Sequence, residues 1–191
     1  MEGTEITATA STLFQNAEEA GEFYQEAKKR LLYVQNWHEL TGTLGADFEL
    51  RDEKGNVVDQ PARKGNYFRI DITGPGSKAG EGYDWAMVED IKEVNTEDVD
   101  SIAMRVRPTV NPQKPDSDIA HFYSEKATSS FVVTREGSQV TASIYDRNIE
   151  TNDDTREPLD KIRNALVGLG AKYFFSKMQW QALADALVKN E

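Results

Sequence analysis

Polar and apolar residues alternate from Thr4 to Ser11 (TEITATAS), a period of two that, with its threonines and isoleucine, predicts a strand. The rhythm then changes. Ala17, Ala20, Phe23 or Tyr24, Ala27, Leu31 and Val34 follow at spacings of three and four, one stripe of an amphipathic helix with Glu22, Glu26, Lys28 and Lys29 on its wet side. Asn16 is placed to cap that helix, and Glu19 to complete a capping box. Asn36 and Gly42 are its stop signals.

The period of two then returns. Residues 46–56 (ADFELRDEKGN) read as a strand running into a Lys-Gly-Asn turn. In NYFRIDIT, Phe68, Ile70 and Ile72 share one face, opposite Arg69 and Asp71. YDWAMVEDIKEV follows, then DSIAMRVRPTV, where Ile102, Met104 and Val106 alternate with Ala103, Arg105 and Arg107. Pro108, Pro112 and Pro115 force an irregular excursion. TSSFVVTR and QVTASIYDRN complete the run, joined by a tight hairpin with Gly137 at its tip.

The tail is helical again. Asp154 or Thr155 is its cap and Pro158 sits in the first turn. Leu159, Ile162, Leu166, Leu169, Tyr173, Ser176, Trp180, Leu183 and Leu187 form one stripe to about Lys189, interrupted by Gly168 and Gly170.

Runs of strands, rather than strand alternating with helix, predict an α+β domain on an antiparallel sheet. A helix as long as the last one needs a broad, bent apolar surface, which a curved sheet supplies. The order of elements resembles the helix-grip fold of the START, polyketide-cyclase and birch-pollen-allergen (SRPBCC) superfamily. The segment YVQNWHELTG, with Trp37, is similar to that family's early helix leading into a tryptophan. GPGSKAGEG sits where the plant allergen branch carries a glycine-rich loop between early strands. Two stretches depart from the pattern: the excursion from Pro108 to His121 is long, and residues 46–65 look like additional material. The resemblance implies one domain over residues 1–191, with a curved antiparallel sheet wrapped around the C-terminal helix. It implies a small hydrophobic or amphipathic, lipid-like ligand between sheet and helix. Two alternatives stay open: a cyclase- or hydrolase-type enzyme using the same cavity, and a protein-interaction module with a filled core.

Composition narrows the partners. The 191 residues carry 22 lysines and arginines against 33 acids, a net charge of −11 that repels nucleic acid. There is no cysteine, so disulfides and thiolate metal sites are excluded. No apolar run reaches the roughly 20 residues of a membrane span. The N-terminus has neither the basic nor the apolar region of a secretory signal. A cytoplasmic protein without cofactor or metal is the expectation.

Motif spacing tests the remaining chemistry. In GPGSKAGEGYDW, Lys78 follows Ser77 and no Lys-Ser or Lys-Thr pair closes a phosphate-binding loop. Counting from Gly74 and Gly76, a dinucleotide fingerprint would need its third glycine where Ala79 stands. The stretch therefore reads as a strand connector, with Gly74, Gly76, Gly80 and Gly82 at a cavity rim. His38 and His121 are the only histidines and share no metal-ligand spacing. No nucleophile elbow surrounds Ser77. The expected cavity lining is Trp37, Phe68, Trp85, Met87, Met104, Tyr173, Phe174 and Met178, with Asp84 as the polar residue among them.

Overall fold

The computed structural model describes residues 4–42, 46–72, 79–121, 123–149 and 176–190. Four expected site residues, Gly74, Gly76, Tyr173 and Phe174, lie outside that set, as does the first half of the C-terminal helical stripe. Strands β1 (Thr4–Leu13), β2 (Ala46–Arg51), β3 (Tyr67–Ile72), β4 (Asp84–Asn95), β5 (Val99–Pro108), β6 (Thr128–Glu136) and β7 (Gln139–Ile149) form one sheet in the order β1-β7-β6-β5-β4-β3-β2. Every neighbouring pair is antiparallel. β2 to β7 follow one another as a meander, and β1 closes the far side on β7. The sheet curls into a half-barrel with helices in its concavity, the helix-grip architecture that the sequence resemblance implied.

Helix α1 (Ala17–Leu32) begins as its sequence predicts. Asn16 Oδ1 accepts the Glu19 amide at 2.9 Å, and the Asn16 side-chain amide donates to the Glu19 carboxylate at 3.1 Å. One orphan amide of the first turn, that of Glu19, is thereby satisfied, and the second bond ties the two side chains together rather than returning to the Asn16 amide as a full capping box does. Ala20, Tyr24, Ala27 and Leu31 are its buried stripe, laid on β6 and β7. The helix stops sooner than Asn36. Tyr33 leaves helical geometry, a single 3₁₀ turn spans Val34–Asn36, and α2 (Trp37–Thr41) resumes in a new direction. Gly42, at φ +72°, ends α2 in the left-handed conformation that favours glycine.

This break has a use: it points Trp37 into the core. Trp37 is fully buried, and its indole N–H donates to the Arg30 carbonyl at 3.1 Å. Its ring lies 5.3 Å from Phe48, 5.9 Å from Phe68 and 4.9 Å from Phe131. The C-terminal helix α3 (Ser176–Leu187 as described) adds Trp180, 5.3 Å from Phe131 and 6.4 Å from Phe48. Five aromatic rings thus fill the middle of the grip, tying β2, β3 and β6 to both α2 and α3.

Helix α3 packs on β1, β7 and α2 through Leu183, Ala184 and Leu187. Its end is held from outside. The Arg30 guanidinium donates to the carbonyls of Ala186 and Lys189 at 3.2 and 2.8 Å, serving carbonyls that helix geometry leaves without partners. Thr12 donates to the Val188 carbonyl at 2.5 Å. No helix among the described residues is long and apolar enough to cross a membrane.

Candidate functional site

The two faces of the sheet follow from its registers, because residues paired across strands point the same way and adjacent residues point oppositely. Phe68 pairs with Leu50 and Ala86, Val106 with Val88, and Met104 with Phe131. These residues share the buried core with Trp37 and form the concave face. The side chains of this face are apolar save for a few positions. Those few polar positions are the informative ones.

Asp84 pairs with Ile70 and is completely buried on the concave face. Asp146 stands in the same inward phase as Val140, Ala142 and Ile144 on β7 and is 2% exposed. Its register partner on β6 is Ser129, while Val106 faces Ser129 from β5. Asp84 and Asp146 therefore both lie toward one end of the concavity, where β4 begins and β7 ends. At the opposite end the inward polar pair is Arg135 and Asp100, bonded at 2.6 Å beneath α1. That pair is internally neutral and further tied to the Gly137 and Glu97 carbonyls.

Asp146 has a different environment. The Trp180 indole N–H donates to its Oδ2 at 2.5 Å, whereas Oδ1 is buried with no hydrogen-bond partner. Burial pushes the carboxyl up to about 6, against the opposing pull of the nearby Ser129 hydroxyl and the Trp180 indole. No lysine, arginine or histidine among the described residues pairs with it. Beside it, Tyr123, Ala127 and Ile149 make a small apolar cluster closed by Trp180. Asp146 is not among the expected lining residues, yet its signal is in the sequence: in QVTASIYDRN it continues the phase of three apolar residues.

The expected lining divides across the two sides of the sheet. Trp37, Phe68 and Met104 are inward, but they belong to the packed aromatic and aliphatic middle. Asp84 is inward, at the end described above. Trp85 and Met87 are not: Trp85 pairs with Arg69, and Met87 with Arg107, on the outer face. Adjacency in β4 forces this, since Asp84 and Trp85 cannot face the same way in a regular strand. Trp85 is nonetheless 3% exposed, because its indole donates to the Gly80 carbonyl at 3.3 Å and its backbone amide to Ala120 at 2.6 Å. The long excursion after β5 thus returns to cover it. Met178, on α3, is 66% exposed and faces away from the core.

Of the glycine stretch, the described part is a packed turn. Gly80 is buried, and a Cβ built on it would stand 1.8 Å from the Tyr83 carbonyl oxygen. Only glycine fits that approach. Gly82, at φ +99°, supplies the reversal that leads into β4. The turn also sets Tyr83 so that the Arg69 guanidinium lies 4.0 Å from its ring centroid.

The outer face carries the charges. Glu89 is the extra residue of a bulge in β4, where the register with β5 shifts between Val88 and Asp90. It receives both Arg105 and Arg107, and the Arg107 guanidinium beside it holds its carboxyl below the usual range. His38 lies 2.9 Å from Asp47 at the surface, and His121 Nδ1 accepts the Tyr123 amide at 3.0 Å. An open cleft of about 310 Å³ lies between β1, α2 and α3, lined by residues including Ser11, Leu40, Ala182 and Asp185. It lies at the β1 edge of the sheet, where Ala10 and Leu40 pack against the core, and holds no buried charge.

No family model and no curated protein sequence matches the chain. Among solved structures it is similar to the hypothetical protein jhp0584 of Helicobacter pylori, with 11% identity over 97% of this chain and 86% of that one, at a TM-score of 0.48. A point mutant of norcoclaurine synthase from Thalictrum matches at 11% identity over 97% and 94% of the two chains, with a TM-score of 0.39. The ginseng major latex-like protein 151 matches at 13% identity over 93% and 97%, with a TM-score of 0.36. Scores and identities this low assign no role to any residue of the concave face.

Proposed function

We propose that the chain binds a small hydrophobic or amphipathic molecule between the concave face of the sheet and its C-terminal helix. One observation carries this reading: the buried carboxylate of Asp146, one oxygen of which makes no hydrogen bond, stands with buried Asp84 at one end of a largely apolar concave face. Burying a carboxylate in an apolar core is costly. A face that served only as core would be more stable with valine or isoleucine in place of Asp146. An apolar chamber with a few fixed polar groups is the form that a small-ligand site takes. The aromatic middle closes one side of that space, which confines the ligand to the end marked by Asp84, Ser129 and Asp146. One domain over residues 1–191 and a cytoplasmic location belong to the same reading, on the strength of the sequence alone.

The test is a titration with N-phenyl-1-naphthylamine, whose fluorescence rises in an apolar site, alongside native mass spectrometry of gently purified protein. Saturable binding of one dye per chain, reduced at least about tenfold by Ser129→Phe, is the expected result; that change is about 1.4 kcal/mol. Ser129→Phe adds bulk beside Asp146 and is checked for an unchanged circular dichroism spectrum. Absence of saturable binding by the folded protein overturns the proposal.

A further inference from the structure

The chemistry of Asp146 says more about the ligand than that it is apolar. A carboxylate accepts hydrogen bonds through two oxygens. In Asp146 one oxygen is spent on the Trp180 indole, and the other is buried and makes no hydrogen bond, although the Ser129 hydroxyl lies nearby. Trp180 is itself held by contact with Phe131 and Phe48, so the carboxylate is fixed rather than free to turn toward solvent. A core aspartate needed only to orient Trp180 would have its second oxygen served by a backbone or side-chain donor, as Arg135 serves Asp100 at the other end of the same face.

Three features specify the missing partner. It must donate, because the vacant atom is an acceptor. It is favoured if cationic, because no basic side chain among the described residues offsets Asp146. A net charge of −11 also attracts cations and repels anions over the whole surface. A bound metal ion is the poorer fit, since no cluster of three His, Asp or Glu side chains occurs among the described residues.

We infer that the ligand carries a protonated amine on an apolar body, and that the amine donates to Oδ1 of Asp146. This rests on the concave-face binding proposed above and names the chemical class that the site selects. The cost of burying the carboxylate is already borne by the fold, so an ammonium group meeting it gains a charge-assisted hydrogen bond. A fatty acid or other anionic amphiphile meets a like charge there instead.

The experiment uses three probes with one tail and different heads: octylamine, 1-octanol and octanoate, each displacing N-phenyl-1-naphthylamine from the full chain at neutral pH. Octylamine is expected to bind at least about tenfold more tightly than 1-octanol, and octanoate more weakly than either. Asp146→Asn is expected to remove the preference for octylamine while leaving 1-octanol within about threefold. Equal binding of all three by the wild-type chain overturns the ammonium inference and leaves the hydrophobic site standing. So does a folded Asp146→Asn variant that keeps the preference. Failure of the dye and every probe to bind removes the site itself, and the inference with it. The head-group comparison on wild-type protein decides the question even if the variant does not fold.

Discussion

At the scale of single residues, the buried polar atoms without partners among the described residues each carry their own consequence. Asp146 keeps its proton to about pH 6 in the folded chain, whereas an unfolded aspartate loses it near about 3.9. Between those values the folded state binds more protons than the unfolded state, so stability falls as pH rises through that window and levels off above it. A shift of about two pH units corresponds to about 3 kcal/mol. Urea denaturation at pH 4 and pH 8 is therefore expected to show Asp146→Asn gaining about 2 kcal/mol relative to wild type over that interval, since part of the difference has already developed at pH 4. Glu89 works in the opposite sense. Its lowered carboxyl contributes stability at neutral pH that is lost as the solution is acidified through its folded-state value.

Tyr24 supplies a second residue-scale prediction. Its ring fills the space under α1, but its hydroxyl is buried with no partner. Burial, followed by the negative charges of Glu93 and Asp100, pushes that hydroxyl well above the usual tyrosine range. Tyr24→Phe keeps the packing and removes the unserved hydroxyl. Its urea midpoint is expected to equal or exceed that of wild type, by up to about 1–2 kcal/mol.

Among the elements, the turn before β4 is where the sequence is least replaceable. Gly80 lets two stretches of backbone approach more closely than a side chain allows, and its carbonyl receives the Trp85 indole. Gly80→Ala must displace the Tyr83 carbonyl, a rigid obstacle, so the expected loss is about 1–3 kcal/mol, read from the thermal midpoint. Release of Trp85 should accompany it as a red shift in tryptophan emission. The contrast is Gly82→Ala, where no atom lies within 4 Å of the added carbon and only the positive φ resists; a smaller loss, about 1 kcal/mol, is expected there. The β4 bulge matters in another way: by inserting Glu89 it brings one carboxylate to two arginines on the outer face while keeping Val88 and Ile91 inward.

For the whole molecule, the defining contact is a long-range one. β1 pairs with β7, from Thr4↔Ile149 to Leu13↔Gln139, so the first strand is held in the sheet by the last. Helix α3 then lies on that same strand. Sheet, aromatic middle and α3 share one continuous core, so a single cooperative transition is expected, with coincident midpoints by circular dichroism and tryptophan fluorescence. Two separated transitions would contradict it. Pairings this non-local also predict refolding on the millisecond-to-second scale in stopped-flow experiments.

What the sequence by itself determined was local. The period of two in NYFRIDIT and DSIAMRVRPTV, the Asn16 cap, the Gly137 hairpin and the order of elements all express interactions between near neighbours, and these carried through to the fold. Alternation divides each strand into two faces, but it does not say which face will be concave. That depends on which strands lie beside which, and here it sent Trp85 and Met87 to the outside and Asp84 inward. The end of α1 was equally undecidable from its own stripe, because Trp37 breaks away to meet Phe48, Phe68 and Phe131, which arrive from three later strands. Asp146 is the clearest case. Its inward phase is written in β7, but its burial, its indole partner and its vacant oxygen depend on Trp180, 34 residues further along the chain. Only the tertiary structure puts those two residues together, so only it turns a polar residue in a strand into a candidate binding group.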